Sequence, residues 1–144
     1  MRCELLCVLF ALASGSALAC QCAPTSLAER YDKASLAFVG STTSDPSKPG
    51  KYGQTISFQV SRSLKGALRV GSKVEIDPLF GTECTAPFVP GAQLLIFAFT
   101  QPKHTPIVSA CSVRTTEPVS VEGQLVRPSP DVLEFLQSFT RAGG

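Results

Sequence analysis

The chain has 144 residues, 13 Lys and Arg against 11 Asp and Glu, six cysteines and no tryptophan. A net charge of +2 is too small a bias to make nucleic acid or an anionic membrane the main partner. The length suits one domain with a modest core.

Residues 1–19 read as a signal peptide. Arg2 gives a weakly basic start, offset by Glu4, and Leu5 to Leu12 is an apolar run too short to span a bilayer as a helix. Small residues follow, then the cleavage motif Ala17-Leu18-Ala19. Cleavage there makes Cys20 the first residue of a domain over 20–144, in a secreted or periplasmic protein. No later apolar stretch is long enough for a transmembrane segment.

Ser26 to Lys33 has helical spacing, with Leu27, Ala28 and Tyr31. Leu36-Ala37-Phe38-Val39, ending at Gly40, reads as a strand. Residues 41–53 hold two prolines, two glycines and several serines and read as a long loop. Thr55 to Leu64 alternates, with Ile56, Phe58 and Val60 on one face, which predicts a half-buried strand. Lys65-Gly66 makes a turn, and Val70, Val74 and Ile76 mark a further strand. Residues 78–90 are irregular and carry Cys84. After the Pro90-Gly91 turn, Leu94 to Phe99 is apolar on both faces and predicts a central strand. Ile107 to Val113 reads as another strand, carrying Cys111.

The tail predicts the best helix. Ser129 can cap it, Pro130 and Asp131 suit its first turn, and Val132, Phe135, Leu136 and Phe139 form one apolar stripe. Gly143 can end it. The expected fold is mainly β: an OB-fold-like antiparallel barrel of five to six strands, with a short N-terminal helix and a C-terminal helix. The strands show no basic-aromatic face for nucleic acid.

No enzyme is expected. His104 is the only histidine, in a proline-flanked loop, and no nucleophile motif surrounds the serines and aspartates. Lys48, Lys51, Arg62, Lys65, Arg69 and Lys73 are spread over turns and strand ends and read mostly as solvated surface.

The cysteines carry the chemistry. Cys3 and Cys7 fall in the signal segment, leaving Cys20, Cys22, Cys84 and Cys111. An even count in an exported chain argues for two disulfides, and four cysteines permit three connectivities. A Cys20–Cys22 bridge would close a very tight ring, whereas either distant pairing clamps the new N-terminus at two points. Two other readings compete. Cys20 can be a lipoprotein acceptor, giving a lipid-anchored envelope protein, but Ala17 and Leu18 fit that signal poorly and lipidation strands a thiol. A reduced Cys20/Cys22 pair can bind copper or zinc, which an oxidising compartment disfavours.

The start Cys20-Gln21-Cys22-Ala23-Pro24 after a signal peptide resembles the tissue inhibitors of metalloproteinases. So does the sequel: Ala34 to Gly40 as a first strand, Leu64-Lys65-Gly66, a cysteine in a loop, Pro90-Gly91, Leu94-Leu95-Ile96-Phe97 and a last cysteine. The resemblance spans most of residues 20–113 and implies a netrin-like domain with disulfides Cys20–Cys84 and Cys22–Cys111. It implies a secreted inhibitor whose Cys20 α-amine and carbonyl chelate the catalytic zinc of a partner metalloprotease. Gln21 would enter the specificity pocket, and Cys22, Ala23, Pro24, Gly81, Thr82 and Glu83 would line the binding edge. The protein would hold no cofactor of its own and act as a monomer. The family's third disulfide and its second, cysteine-rich domain have no counterpart here, and Gln21 stands where a small hydroxyl residue is usual. A netrin-like protein-binding module without inhibitory activity is the alternative.

Overall fold

The structure is a computed structural model that describes residues 22–43, 55–78, 88–121 and 123–141. It is mainly β. Helix α1 (Leu27–Lys33) leads into β1 (Leu36–Thr42), β2 (Ile56–Lys65), β3 (Lys73–Ile76) and β4 (Gln93–Ala98). A single 3-10 turn, Ala110–Ser112, precedes β5 (Val113–Thr115). A hairpin of β6 (Val119–Val121) and β7 (Gln124–Val126) precedes helix α2 (Pro130–Arg141).

Strands β1 to β5 form one antiparallel sheet in the order β3-β2-β1-β4-β5, and β6 and β7 pair separately. The predicted period-two strand is β2. Its inward residues Ile56, Phe58 and Val60 are buried, while Gln59 and Ser61 are exposed. Strand β4 lies between β1 and β5, and its Leu94 to Ala98 are fully buried, as an apolar run on both faces requires.

The sheet is covered on both faces. Phe38, Ile56, Phe58, Val60, Ile76, Leu94 and Ile96 belong to one core cluster. Ala37, Val39, Leu95 and Phe97 belong to the other, with Leu27 and Ala34 from the α1 segment and Val132 from α2. The stripe on α2 behaves as expected. Phe135 meets Phe97 and Tyr31 edge-on, with ring centroids 5.8 and 5.9 Å apart.

Strand β2 is longer than β1, and the register absorbs the excess. It shifts between Ala37 and Phe38 and again between Val39 and Gly40, so Leu64 and Ser61 have no partner on β1. These are β-bulges, which bend and twist a strand. Each frees polar groups, and side chains take them up. The Tyr31 hydroxyl donates to the Leu64 carbonyl at 3.0 Å, and the Ser61 hydroxyl lies 3.0 Å from the Val39 carbonyl.

Several expectations need correction. Val70 is not in a strand; it lies in a turn before Ser72, 69% exposed, because Gly71 takes a positive φ that turns the chain. Residues 107–113 are not one strand. Ile107 makes isolated bridges to Asp77 and Phe99, and Cys111 lies in the 3-10 turn before β5. The 106–108 backbone hydrogen-bonds to both Asp77 and Phe99, but these are single bridges rather than a ladder, so the barrel is not closed. The strand reading of 36–40 was too short, since β1 runs on through Gly40 to Thr42. The β6–β7 hairpin was not anticipated. Of the predicted 41–53 loop, residues 44–53 lie outside the described residues, as does Gly143.

Gly40 is the tightest point. A Cβ there would sit 2.6 Å from the Gln59 carbonyl oxygen and 3.2 Å from the Phe38 ring. Gly40→Ala is therefore expected to destabilise the fold by about 1–3 kcal/mol through overpacking. Thermal unfolding of wild type and variant checks this, with an unchanged Tm counting against it.

Candidate functional site

The residues leading into α1 form the site. Cys22 is joined to Cys111 by a disulfide with the Cα atoms 5.4 Å apart and a sequence separation of 89. This is one of the two pairings that the resemblance implies. Cys22, Ala23 and Pro24 are nonetheless all exposed.

Ala23 is held from below. Its carbonyl accepts from Arg30 Nη2 and from the Thr25 hydroxyl, both at 3.2 Å. Ser26 then starts α1 with a capping box. Its hydroxyl accepts from the Glu29 amide at 3.2 Å, and its own amide donates to Glu29 Oε2 at 2.9 Å. That reciprocal pair satisfies the Ser26 and Glu29 amides at the helix start. The hydrogen bonds from Ser26 hold the Glu29 carboxyl below its ordinary pKa, with Lys33 and Arg30 adding smaller contributions.

Helix α1 is pinned at its other end. Lys65 Nζ donates to the carbonyls of Tyr31 at 2.7 Å and Asp32 at 2.9 Å, and sits 5.0 Å from the Tyr31 ring centre. A cation on the last carbonyls of a helix is well placed. Arg62 Nη2 donates to the Thr140 hydroxyl of α2 at 3.1 Å. Arg62 and Lys65, read from sequence as solvated surface, thus tie the helices to β2.

On the other side of the disulfide, Arg114 Nη1 donates to the carbonyls of Cys111 at 3.2 Å and Val113 at 2.8 Å. Burial lowers the Arg114 pKa, as does nearby Arg30, while Asp131 opposes the shift. The disulfide therefore sits among two guanidiniums, each bonded to backbone next to one of its cysteines.

Cys20, Gln21, Gly81, Thr82, Glu83 and the Cys20–Cys84 bridge lie outside the described residues. Lys48 and Lys51 do as well. His104 is exposed in the turn after β4, where Lys103 takes a positive φ. Among the described residues, no three His, Cys, Asp or Glu side chains gather as a metal site. No helix among them is long and apolar enough to cross a membrane. Sequence reasoning missed Arg30 and Arg114. The Ser26-x-x-Glu29 capping box was a legible signal, but which backbone an arginine reaches depends on tertiary contacts.

No protein-family model, curated protein or solved structure matches the chain.

The disulfide restrains the unfolded chain over a long loop, worth about 4–5 kcal/mol in the simple entropy model. A Cys22→Ser/Cys111→Ser double variant is expected to lose stability of that order in urea unfolding. A change below about 1 kcal/mol would mean that the clamp does little for the fold. The capping box gives a separate pH test. A depressed Glu29 pKa contributes stability above the ordinary carboxylate range, which is lost as pH falls through the lowered value. Glu29→Gln should therefore reduce the loss of stability between about pH 5 and 3. An acid limb identical to wild type would rule out this contribution.

Proposed function

We propose that this protein is a secreted inhibitor of zinc metalloproteases, acting through the α-amine and carbonyl of Cys20 after removal of residues 1–19. The observation that carries the reading is the Cys22–Cys111 disulfide beneath an exposed Cys22-Ala23-Pro24 segment. Chain termini ordinarily fray. Here the third residue of the processed chain is covalently fixed, and the fourth is held through Arg30. Two residues reach at most about 7 Å from such a point, so the new terminus stays close to the fold. The supporting fold reading is an OB-fold-like, netrin-like barrel. The bulged β2 and the 106–108 bridges between the ends of β3 and β4 are the features that favour it.

The chemistry is that of a bidentate ligand offered to an open metal site. A catalytic zinc keeps one position for water or substrate, and an amine with its adjacent carbonyl can take it. The amine binds only when neutral, so chelation releases a proton. With an ordinary α-amine pKa near 7.7–8, that deprotonation costs little at neutral pH. Gln21 would follow into the protease's specificity pocket. Gly81, Thr82 and Glu83 would extend the contact, tied to Cys20 through Cys84. The zinc belongs to the partner, and the inhibitor contributes no metal or reaction of its own.

The test is one added residue. Mature protein beginning at Cys20 is compared with a form carrying an alanine before it, on a panel of zinc metalloproteases. Inhibition is expected to fall by about two orders of magnitude, because the added residue turns the amine into an amide that cannot ligate. Equal inhibition by the two forms would sink chelation. Intact mass of the natural product is the companion measurement, and a diacylglyceryl adduct on Cys20 would end this reading in favour of a lipid-anchored protein.

A further inference from the structure

Away from the exposed N-terminal segment, a cavity of about 240 Å³ opens between the edge of the main sheet and the β6–β7 hairpin. Leu94 and Val113 contribute from the sheet and Val126 from β7, while Arg114, Arg127 and Ser129 add polar groups. Leu94 and Val113 are buried, and Val126 is 40% exposed. An apolar hollow with a few polar groups beside it is the usual construction of a small-ligand site, and this volume suits a fragment rather than a cofactor.

The charge here is one-sided. Arg114 and Arg127 line the cavity, Arg30 lies near enough to Arg114 to act on it, and among the described residues Asp131 is the carboxylate that acts on Arg114. Arg30 Nε is buried with no acceptor. Arg114 spends Nη1 on the carbonyls of Cys111 and Val113, and among the described residues its Nε and Nη2 meet no acceptor. Two arginine forks, Arg114 partly buried and Arg127 exposed, with Asp131 the described carboxylate acting on Arg114, favour a bound carboxylate. The aliphatic lining favours a carboxylate attached to an apolar group over a bare anion.

We propose that the cavity between β5, β7 and the start of α2 binds a monocarboxylate that carries a small apolar group. Such a group occurs as a free branched-chain acid or as the C-terminal residue of a peptide. The carboxylate pairs with Arg114 and Arg127, and the apolar group fills the space over Leu94, Val113 and Val126. Binding here does not depend on the Cys20 terminus, so its success or failure is separable from that of protease inhibition.

The test titrates ¹⁵N-labelled mature protein with 4-methylpentanoate, acetyl-Ala-Val bearing a free carboxylate, the same dipeptide as its amide, and inorganic phosphate. The carboxylates are expected to shift amide signals of residues 113–115 and 126–129 saturably, and the dipeptide amide to leave them unmoved. Tighter binding of the dipeptide acid identifies a peptide C-terminus, and tighter binding of methylpentanoate identifies a free acid. Arg127→Gln, an exposed position whose change leaves the core intact, is expected to weaken binding about tenfold. Absence of saturable shifts with both carboxylates overturns the proposal. So does an equal response to the amide or to phosphate, or an Arg127→Gln variant with wild-type affinity.

Discussion

The fold depends on burying β1 from both sides. Ala37 and Phe38 are inaccessible, and Val39 nearly so, yet adjacent residues on a strand point to opposite faces. One sheet therefore separates two hydrophobic clusters, with Phe38 in one and Ala37 and Val39 in the other. The helix side takes small residues, Ala34 and Ala37, where α1 and α2 come close. The opposite side takes Phe38 against Phe58, with ring centroids 6.2 Å apart. Gly40 is the remaining requirement of this arrangement, because β2 passes too near for any side chain. Neither helix is long enough to be stable alone, so their order comes from this packing.

The bulges in β2 connect that core to the exposed N-terminal segment. Bending a strand frees backbone groups, and buried ones left unpaired are costly. Tyr31 answers one of them at Leu64 while its ring packs against Phe135 and Phe139. The neighbouring Lys65 closes the same helix from its C-terminal end. So α1 is placed by irregularities in β2, and α1 in turn carries the arginine that holds Ala23. A defect in the sheet's regularity thereby becomes the means of orienting the segment at Ala23.

How much was legible follows from the range of each interaction. The alternation at 56–60, the apolar run at 94–98 and the stripe on α2 are local patterns that mirror burial directly, and they read correctly. Val70 shares the apolar spacing of β3 but lies before Gly71-Ser72, whose turn keeps it out of the strand. The 107–113 segment misled because its residues are divided between two isolated bridges and a 3-10 turn, which no periodicity marks. The hairpin was readable in principle from Val119-Ser120-Val121 and Gln124-Leu125-Val126 flanking a glycine-containing link. The partner of Cys22 was not readable from spacing, since four cysteines leave three connectivities open. The arginine contacts to Ala23 and Cys111 are tertiary and have no sequence signature.

The Cys22–Cys111 bond also changes what a cut in the chain would do. It encloses α1 and the first four strands in one covalent ring, with β5, the hairpin and α2 outside it. The turn at residues 101–104 is exposed and lies inside that ring. Cleavage there separates the backbone but not the molecule, because the sulfur bridge still joins the two pieces. β4 and β5 then remain tethered and can stay paired. The protein would thus tolerate a nick there, migrating as one species until the Cys22–Cys111 disulfide is reduced.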